Sequence, residues 1–183
     1  NPLEYILDSL KNKMGQSVGI EIAGPGSRLF NDLSNHKIFR KSAGVVLKDL
    51  RSGGQKNDDG NINHKVLEVD SAFSSKGYRK MKKWLGQDKV DILFERMLAN
   101  VRHWSTEPSY LYAHLNRWYK LLADGGTMFV TSPYPEDNES NNENQRIIKD
   151  WLDKIQNNYK DKIDLSYKYT DREGKNSLLL KLR

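Results

Sequence analysis

The sequence predicts an α/β domain: a mostly parallel sheet with helices on both faces, closed by a C-terminal antiparallel hairpin. Three observations predict it. Short apolar runs rich in β-branched residues alternate with segments of helical spacing, and such alternation builds parallel sheets. The first run leads straight into a tight glycine-containing turn, Gly24-Pro25-Gly26-Ser27. Near the end, Ile163, Leu165, Tyr167 and Tyr169 alternate strictly, as a half-buried strand does.

Each element follows in order. Leu3, Ile6, Leu7, Leu10 and Met14 recur at helical spacing, so residues 3–14 read as an amphipathic helix stopped by Gly15. Residues 18–23 form the first buried strand, and Leu29, Phe30 and Leu33 then suggest a short helix. Val45-Val46-Leu47 make the second strand, ending near Asp49. Ser52 to His64 is rich in Gly and Asn and reads as loop. Val66 to Val69 is the third strand, ending at Asp70; Tyr78, Met81 and Leu85 mark a helical face; Val90 to Phe94 is the fourth strand. A long helix is expected from about Glu107, with Leu111, Leu115, Trp118 and Leu122 as its stripe and Asp124-Gly125-Gly126 as its stop. Thr127 to Thr131 is the fifth strand, and Glu136 to Asn144 a polar loop. Ile148, Trp151, Leu152, Ile155 and Tyr159 define another helix. Two strands joined across Asp171 to Asn176 then form the hairpin.

With 183 residues the chain suits one domain, residues 1–183, with residues 1–15 as an N-terminal helix. No apolar stretch approaches the roughly 20 residues a membrane helix needs, so no membrane partner is expected. No leader is recognisable, although the chain begins at Asn1 without Met, and a cytoplasmic location is the default expectation. The absence of cysteine excludes disulfides, thiolate metal sites and cysteine nucleophiles. His36, His64, His103 and His114 lack metal-ligand spacing, so no metal is expected. A net charge of +6 favours anionic partners, nucleic acid among them. Two basic clusters stand out, Lys37-Arg40-Lys41 and Arg79-Lys80-Lys82-Lys83 beside Trp84; each is a solvated helix face or a phosphate-contacting patch.

In parallel sheets the ligand crevice lies beyond the carboxyl ends of the strands, where strand order reverses. The residues that end the strands therefore carry the functional reading. Glu21 precedes the turn of Ala23, Gly24, Gly26 and Ser27, where backbone can approach a ligand closely and a helix N-terminus offers free N–H donors. Asp49 can accept hydrogen bonds from both hydroxyls of a ribose. Asp70, followed by Ser71, can accept a hydrogen bond from an exocyclic amine such as that of adenine. Glu95 follows the fourth strand and can orient a nucleophile or act as a base.

The run from Glu21 to Gly26 resembles the first motif of the class I, Rossmann-like S-adenosylmethionine-dependent methyltransferases. Asp49 resembles that family's acid after the second strand, and Asp70 its adenine-side acid. Leu121-Leu122-Ala123-Asp124-Gly125-Gly126 resembles the segment leading into its fifth strand, and the family also ends its sheet with an antiparallel strand. The resemblance covers about residues 15–183. It implies S-adenosylmethionine as cofactor, held by Glu21, Ala23, Gly24, Gly26, Ser27, Asp49, Asp70, Ser71 and Glu95, and methyl transfer to an acceptor it does not identify. Departures are visible: Ala23 stands at the place of the first glycine, and Pro25 lacks an N–H. No helix is evident between the second and third strands.

Each residue also has a plainer reading. Glu21 is a strand-end carboxylate held by backbone donors; Asp49 pairs with Arg51; Glu95 belongs to a local ion pair. His103, near Trp104, is an exposed loop histidine rather than a base. Ser132-Pro133-Tyr134 is a rigid turn, since the similar motif of amino-methylating enzymes sits after the fourth strand and carries a second proline. The alternative function is a methyltransferase-like protein without catalysis that contacts protein or nucleic acid. A nicotinamide-dependent oxidoreductase fits poorly, because the full G-x-G-x-x-G fingerprint is absent.

Overall fold

A computed structural model describes residues 2–22, 28–46, 62–69, 74–95, 113, 116–131, 150, 153–154, 157, 163–170 and 176–182. The described elements are α1 (Pro2–Leu10), β1 (Ser17–Ile22), α2 (Arg28–Asn35), β2 (Phe39–Val46) and β3 (His64–Glu68). They continue with α3 (Ser75–Leu85), β4 (Val90–Glu95), β5 (Leu122–Thr131), β6 (Ile163–Thr170) and β7 (Asn176–Leu182). Residues 113, 116–119, 150, 153–154 and 157 are also helical.

The strands make one sheet in the order β3-β2-β1-β4-β5-β7-β6. The first five run parallel; β7 lies antiparallel between β5 and β6. The order steps outward from β1 through β2 to β3, then reverses through β4 to β5. The switch point therefore falls between β1 and β4, whose last residues are register neighbours, Ile22 beside Glu95.

Side chains alternate across a strand, so register assigns each residue to a face. One face carries Phe39, Ile92, Phe94 and Phe129, which cluster with Ile6 and Leu10 of α1 and with Phe30 and Leu33 of α2. Ring centroids lie 4.7 Å apart for Phe30 and Phe39, and 5.2 Å apart for Phe94 and Phe129. Burying each such side chain contributes about 1.5–3 kcal/mol. Gly19 makes the cluster fit: a Cβ there would sit 2.7 Å from the Phe39 ring and 2.8 Å from the Phe30 ring.

Lys41 is the register partner of Val18 and projects from the opposite face, where it meets α3. Its Nζ donates to the carbonyls of Trp84 at 2.8 Å and Leu85 at 3.2 Å, so a cation closes the C-terminus of that helix. At the other end the Ser74 hydroxyl accepts from the Gly77 N–H at 2.9 Å, a side-chain N-cap. Met81 and Leu85 of α3, with Trp118 and Leu121, are buried.

Several element bounds differ from expectation. α1 ends at Leu10 rather than near residue 14, and turns lead on to Gly15, whose φ of 75° fits its role as a stop. β2 begins at Phe39, well before the apolar run, because Phe39 anchors it in the aromatic cluster. Leu122 belongs to β5, not to the preceding helix. It pairs with Val90, the register slips, and Ile92 pairs with Thr127. Gly125, with φ of 72°, lies within that irregularity, and at Gly126 a Cβ would come within 2.8 Å of the Ala123 and Val90 carbonyls. Leu111, Leu115, residues 47–61 and Trp151 lie outside the described residues.

Candidate functional site

The carboxyl ends of the five parallel strands line one edge of the sheet. Ile22 neighbours Val45 on one side and Glu95 on the other, Val46 pairs with Glu68, and Glu95 pairs with Val130. The Val69 N–H donates to the Val46 carbonyl at 2.9 Å, extending the alignment one residue past β3. Asp49 follows Val46 by three residues in the chain, and Asp70 follows Val69 directly.

Of the residues singled out from the sequence, Glu21 and Glu95 are described. Ala23, Gly24, Gly26, Ser27, Asp49, Asp70 and Ser71 lie outside the described residues, as do His103, Trp104 and Ser132-Pro133-Tyr134. Glu21 is fully buried, and its Oε2 accepts the backbone N–H of Phe30 at 2.9 Å. Phe30 is the third residue of α2, so its N–H is one of the donors a helix leaves without an internal partner. A carboxylate at that position also faces the positive end of the helix dipole. The carboxylate thus joins the end of β1 to the start of α2. This is the strand-end carboxylate held by a backbone donor that the plainer reading of Glu21 expects.

Glu95 is 1% exposed. It is the register partner of Ile22, whereas Glu21 is the partner of Phe94, so the two carboxylates point to opposite faces of the sheet. They flank the switch point but do not converge. Glu21 serves the α2 face, and Glu95 stands on the face that α3 covers.

The first basic cluster resolves differently from expectation. Arg40 and Lys41 lie on β2, not on a helix, and both bind Asp88, at 2.9 Å and 3.1 Å. Lys41 also sits 4.6 Å from the centre of the Trp84 ring. The bonds from Lys41, then Arg40, hold the Asp88 carboxyl below its ordinary value. These charges join β2 to the end of α3 and are committed to the fold.

Sequence reasoning missed two polar connections. Asp91 accepts from the Val18 N–H and from Lys13, each at 2.9 Å, tying β4 to the start of β1. Ser42 joins the Ser34 hydroxyl to His64, whose Nδ1 lies 2.7 Å from the Ser42 oxygen. Ser42 is fully buried, so this serine–histidine pair is structural and offers no nucleophile. The only sequence signal for Asp91 and Ser42 was a polar residue inside an apolar strand. Among the described residues no cluster of three or more His, Asp or Glu could hold a metal, and no helix is long and apolar enough to cross a membrane.

No protein-family model matches the sequence, and no curated protein matches it. Solved structures do. A Clostridium thermocellum protein described as an rRNA methylase superposes with a TM-score of 0.64 at 14% identity, covering 100% of this chain and 96% of that one. A Streptococcus mutans protein described as a methyltransferase, solved with S-adenosylhomocysteine, gives 0.64 at 12% identity, over 100% and 98%. An O-methyltransferase of Bacillus cereus, also with S-adenosylhomocysteine, gives 0.59 at 12% identity, over 100% and 81%. The chain has the Rossmann-like α/β fold of these methyltransferases.

Proposed function

We propose that this chain is an S-adenosylmethionine-dependent methyltransferase. The observation that carries the proposal is the Glu21 carboxylate clamped to the Phe30 N–H at the switch point. It closes a glycine-containing turn at the place where this fold binds nucleotides. The likeness to methyltransferases solved with S-adenosylhomocysteine supports the same cofactor. The antiparallel pairing of β7 with β5 and β6 agrees with the resemblance seen in the sequence. The reading takes residues 1–183 as one domain working in the cytoplasm.

The donor set suits an adenosyl group bearing a sulfonium. Glu21 would order the segment from Ala23 to Ser27, in which Ala23, Gly24, Gly26 and Ser27 would offer backbone to the cofactor. Asp49 would accept from the ribose hydroxyls, and Asp70 and Ser71 would serve the adenine amine; Glu95, buried at the end of β4 on the face opposite Glu21, would add a carboxylate at the switch point. When bound, the cofactor supplies an electrophilic methyl on a sulfonium. The chain's contribution is to hold that methyl and the acceptor in line and dry. The acceptor approaches from beyond β4 and β5. Positioning demands few residues of fixed type, so the plain sequence after β4 is compatible with activity.

A second reading, binding without catalysis, is favoured by Ala23 and Pro25, which remove a glycine and an N–H donor from the turn. Calorimetric titration with S-adenosylmethionine and S-adenosylhomocysteine separates the two. Saturable binding that falls at least tenfold in Asp49→Ala is expected. No binding at millimolar ligand, checked by equilibrium dialysis, overturns the proposal.

A further inference from the structure

The sheet ends on β6, and among the described residues no strand pairs with its outer edge. β6 runs from Ile163 to Thr170 and is held through β7 alone, in antiparallel register from Ile163 opposite Leu182 to Thr170 opposite Asn176. An edge strand of this length offers a row of backbone donors and acceptors, and proteins commonly blunt such a row with charge, proline or a bulge. β6 has no proline. It carries one acid, Asp164, and one base, Lys168, the latter where the register with β7 slips. The two opposite charges stand symmetrically about Ser166. The other edge of the sheet is treated differently. The Asn63 carbonyl and the Val69 N–H turn toward β2, so by alternation the Glu68 carbonyl turns outward, and Lys80 of α3 donates to it.

From this we infer that β6 joins two copies of this chain, paired antiparallel about Ser166. A twofold axis perpendicular to the sheet brings together residues of one face only, so paired positions are both even or both odd along the strand. Of the registers this allows, one sets Asp164 of each copy opposite Lys168 of the other, with Ser166 opposite itself. At the alternate positions the same register sets Leu165 opposite Tyr167 and Ile163 opposite Tyr169. Opposite charges and aliphatic–aromatic pairs are combinations that stabilise neighbouring strands, whereas like charges facing each other destabilise them. Moving the axis to Leu165 or to Tyr167 breaks both ion pairs at once. A strand of another protein would need the same two charges in the same order, and a second copy brings them. β6 lies four strands from β1, about 19 Å at roughly 4.8 Å per strand, so the pairing leaves the switch point open. This inference does not depend on methyl transfer, and its test needs no cofactor.

The test is sedimentation velocity of the whole chain at micromolar concentrations, where a species of twice the chain mass should grow with concentration. Asp164→Lys alone sets like charges opposite each other on both sides of the axis, as does Lys168→Asp alone, and each should raise the dissociation constant about tenfold or more. The double exchange Asp164→Lys/Lys168→Asp restores opposite charges in the same register and should restore the dimer. The register is read separately. The chain has no cysteine, so Ser166→Cys places a single thiol at the axis. Directly opposed residues of antiparallel strands have Cα atoms about 4.5–5.5 Å apart, within the span of a disulfide, and mild oxidation should link the copies. Lys65→Cys, exposed on β3 at the other edge, is the control and should stay unlinked. Circular dichroism verifies that each variant folds. The inference is overturned by a monomer at every concentration, which would leave the edge to another protein or to none. It is equally overturned by single exchanges that dimerise like the wild type, by a folded double exchange that stays monomeric, or by Lys65→Cys linking as readily as Ser166→Cys.

Discussion

Removing the Glu21 carboxylate should loosen both the fold and the edge where the cofactor is proposed to bind. In Glu21→Ala the Phe30 N–H loses its acceptor at 2.9 Å in a fully buried setting. A hydrogen bond to a charged group contributes about 1.5–3 kcal/mol. An anion at a partly buried helix N-terminus adds up to about 2 kcal/mol. Against these stands the desolvation of the carboxylate, which offsets part of the gain. The expected net loss is about 2–4 kcal/mol. At about 2–4 °C per kcal/mol for a chain of this length, the melting temperature should fall by roughly 5–15 °C. Glu21→Gln retains an amide oxygen able to accept from Phe30 and loses only the charge, so it should cost about 1 kcal/mol. Urea denaturation and thermal melting of the three proteins would measure the order: wild type, Gln, Ala. Glu21→Ala within about 0.5 kcal/mol of wild type, or Gln worse than Ala, would refute the clamp.

Three further outcomes follow from the packing and the charges. Gly19→Ala forces a methyl against the Phe30 and Phe39 rings and should cost about 1–3 kcal/mol in urea unfolding; an unchanged midpoint would mean the rings move freely. Gly126→Ala meets two backbone carbonyls at 2.8 Å, which cannot rotate away as a side chain can, so its cost should exceed that of Gly19→Ala. Asp88 titrates below its ordinary value in the folded state because Lys41 and Arg40 bind it. Its stabilisation is therefore present above about pH 4 and lost as pH falls through the lowered folded value. Asp88→Asn should cost less than about 1 kcal/mol at pH 7, since the pair is partly exposed. The gap to wild type should close below pH 4, and a gap that widens on acidification would reverse the assignment.

The parallel strands were legible because buried strands write themselves as apolar runs. Ile20, Ile22, Ile92 and Leu93 need no partner to be recognised. Their bounds were less so. The start of β2 at Phe39 is invisible to strand patterning, since Arg40 and Lys41 follow it; what places it is Phe30 of α2, packed on the same face of the sheet. Leu122 looked helical because it continues the spacing of Trp118, yet a strand partner, Val90, claims it. Arg40 and Lys41 read as a helix face until Asp88, distant in sequence, was found between them. In each case a long-range partner overrode a local pattern, and one sequence holds no record of such partners.

The same distinction bears on the altered glycine turn. The departures at Ala23 and Pro25 look damaging when the turn is judged alone. Glu21 and Phe30, which bracket residues 23–27, are however joined by a buried bond that uses neither Ala23 nor Pro25. Methyl transfer depends on placing two reactants rather than on a particular acid or base. A turn whose ends are fixed can lose one donor and still place them. Cofactor affinity is therefore expected to respond more to Glu21→Ala, which removes the bracket and leaves residues 23–27 unchanged, than to Ala23→Gly, which restores the glycine of the motif that the run resembles. Titration of both variants with S-adenosylhomocysteine would decide it: a large gain from Ala23→Gly with no loss from Glu21→Ala would show that residues 23–27, and not their bracket, limit binding.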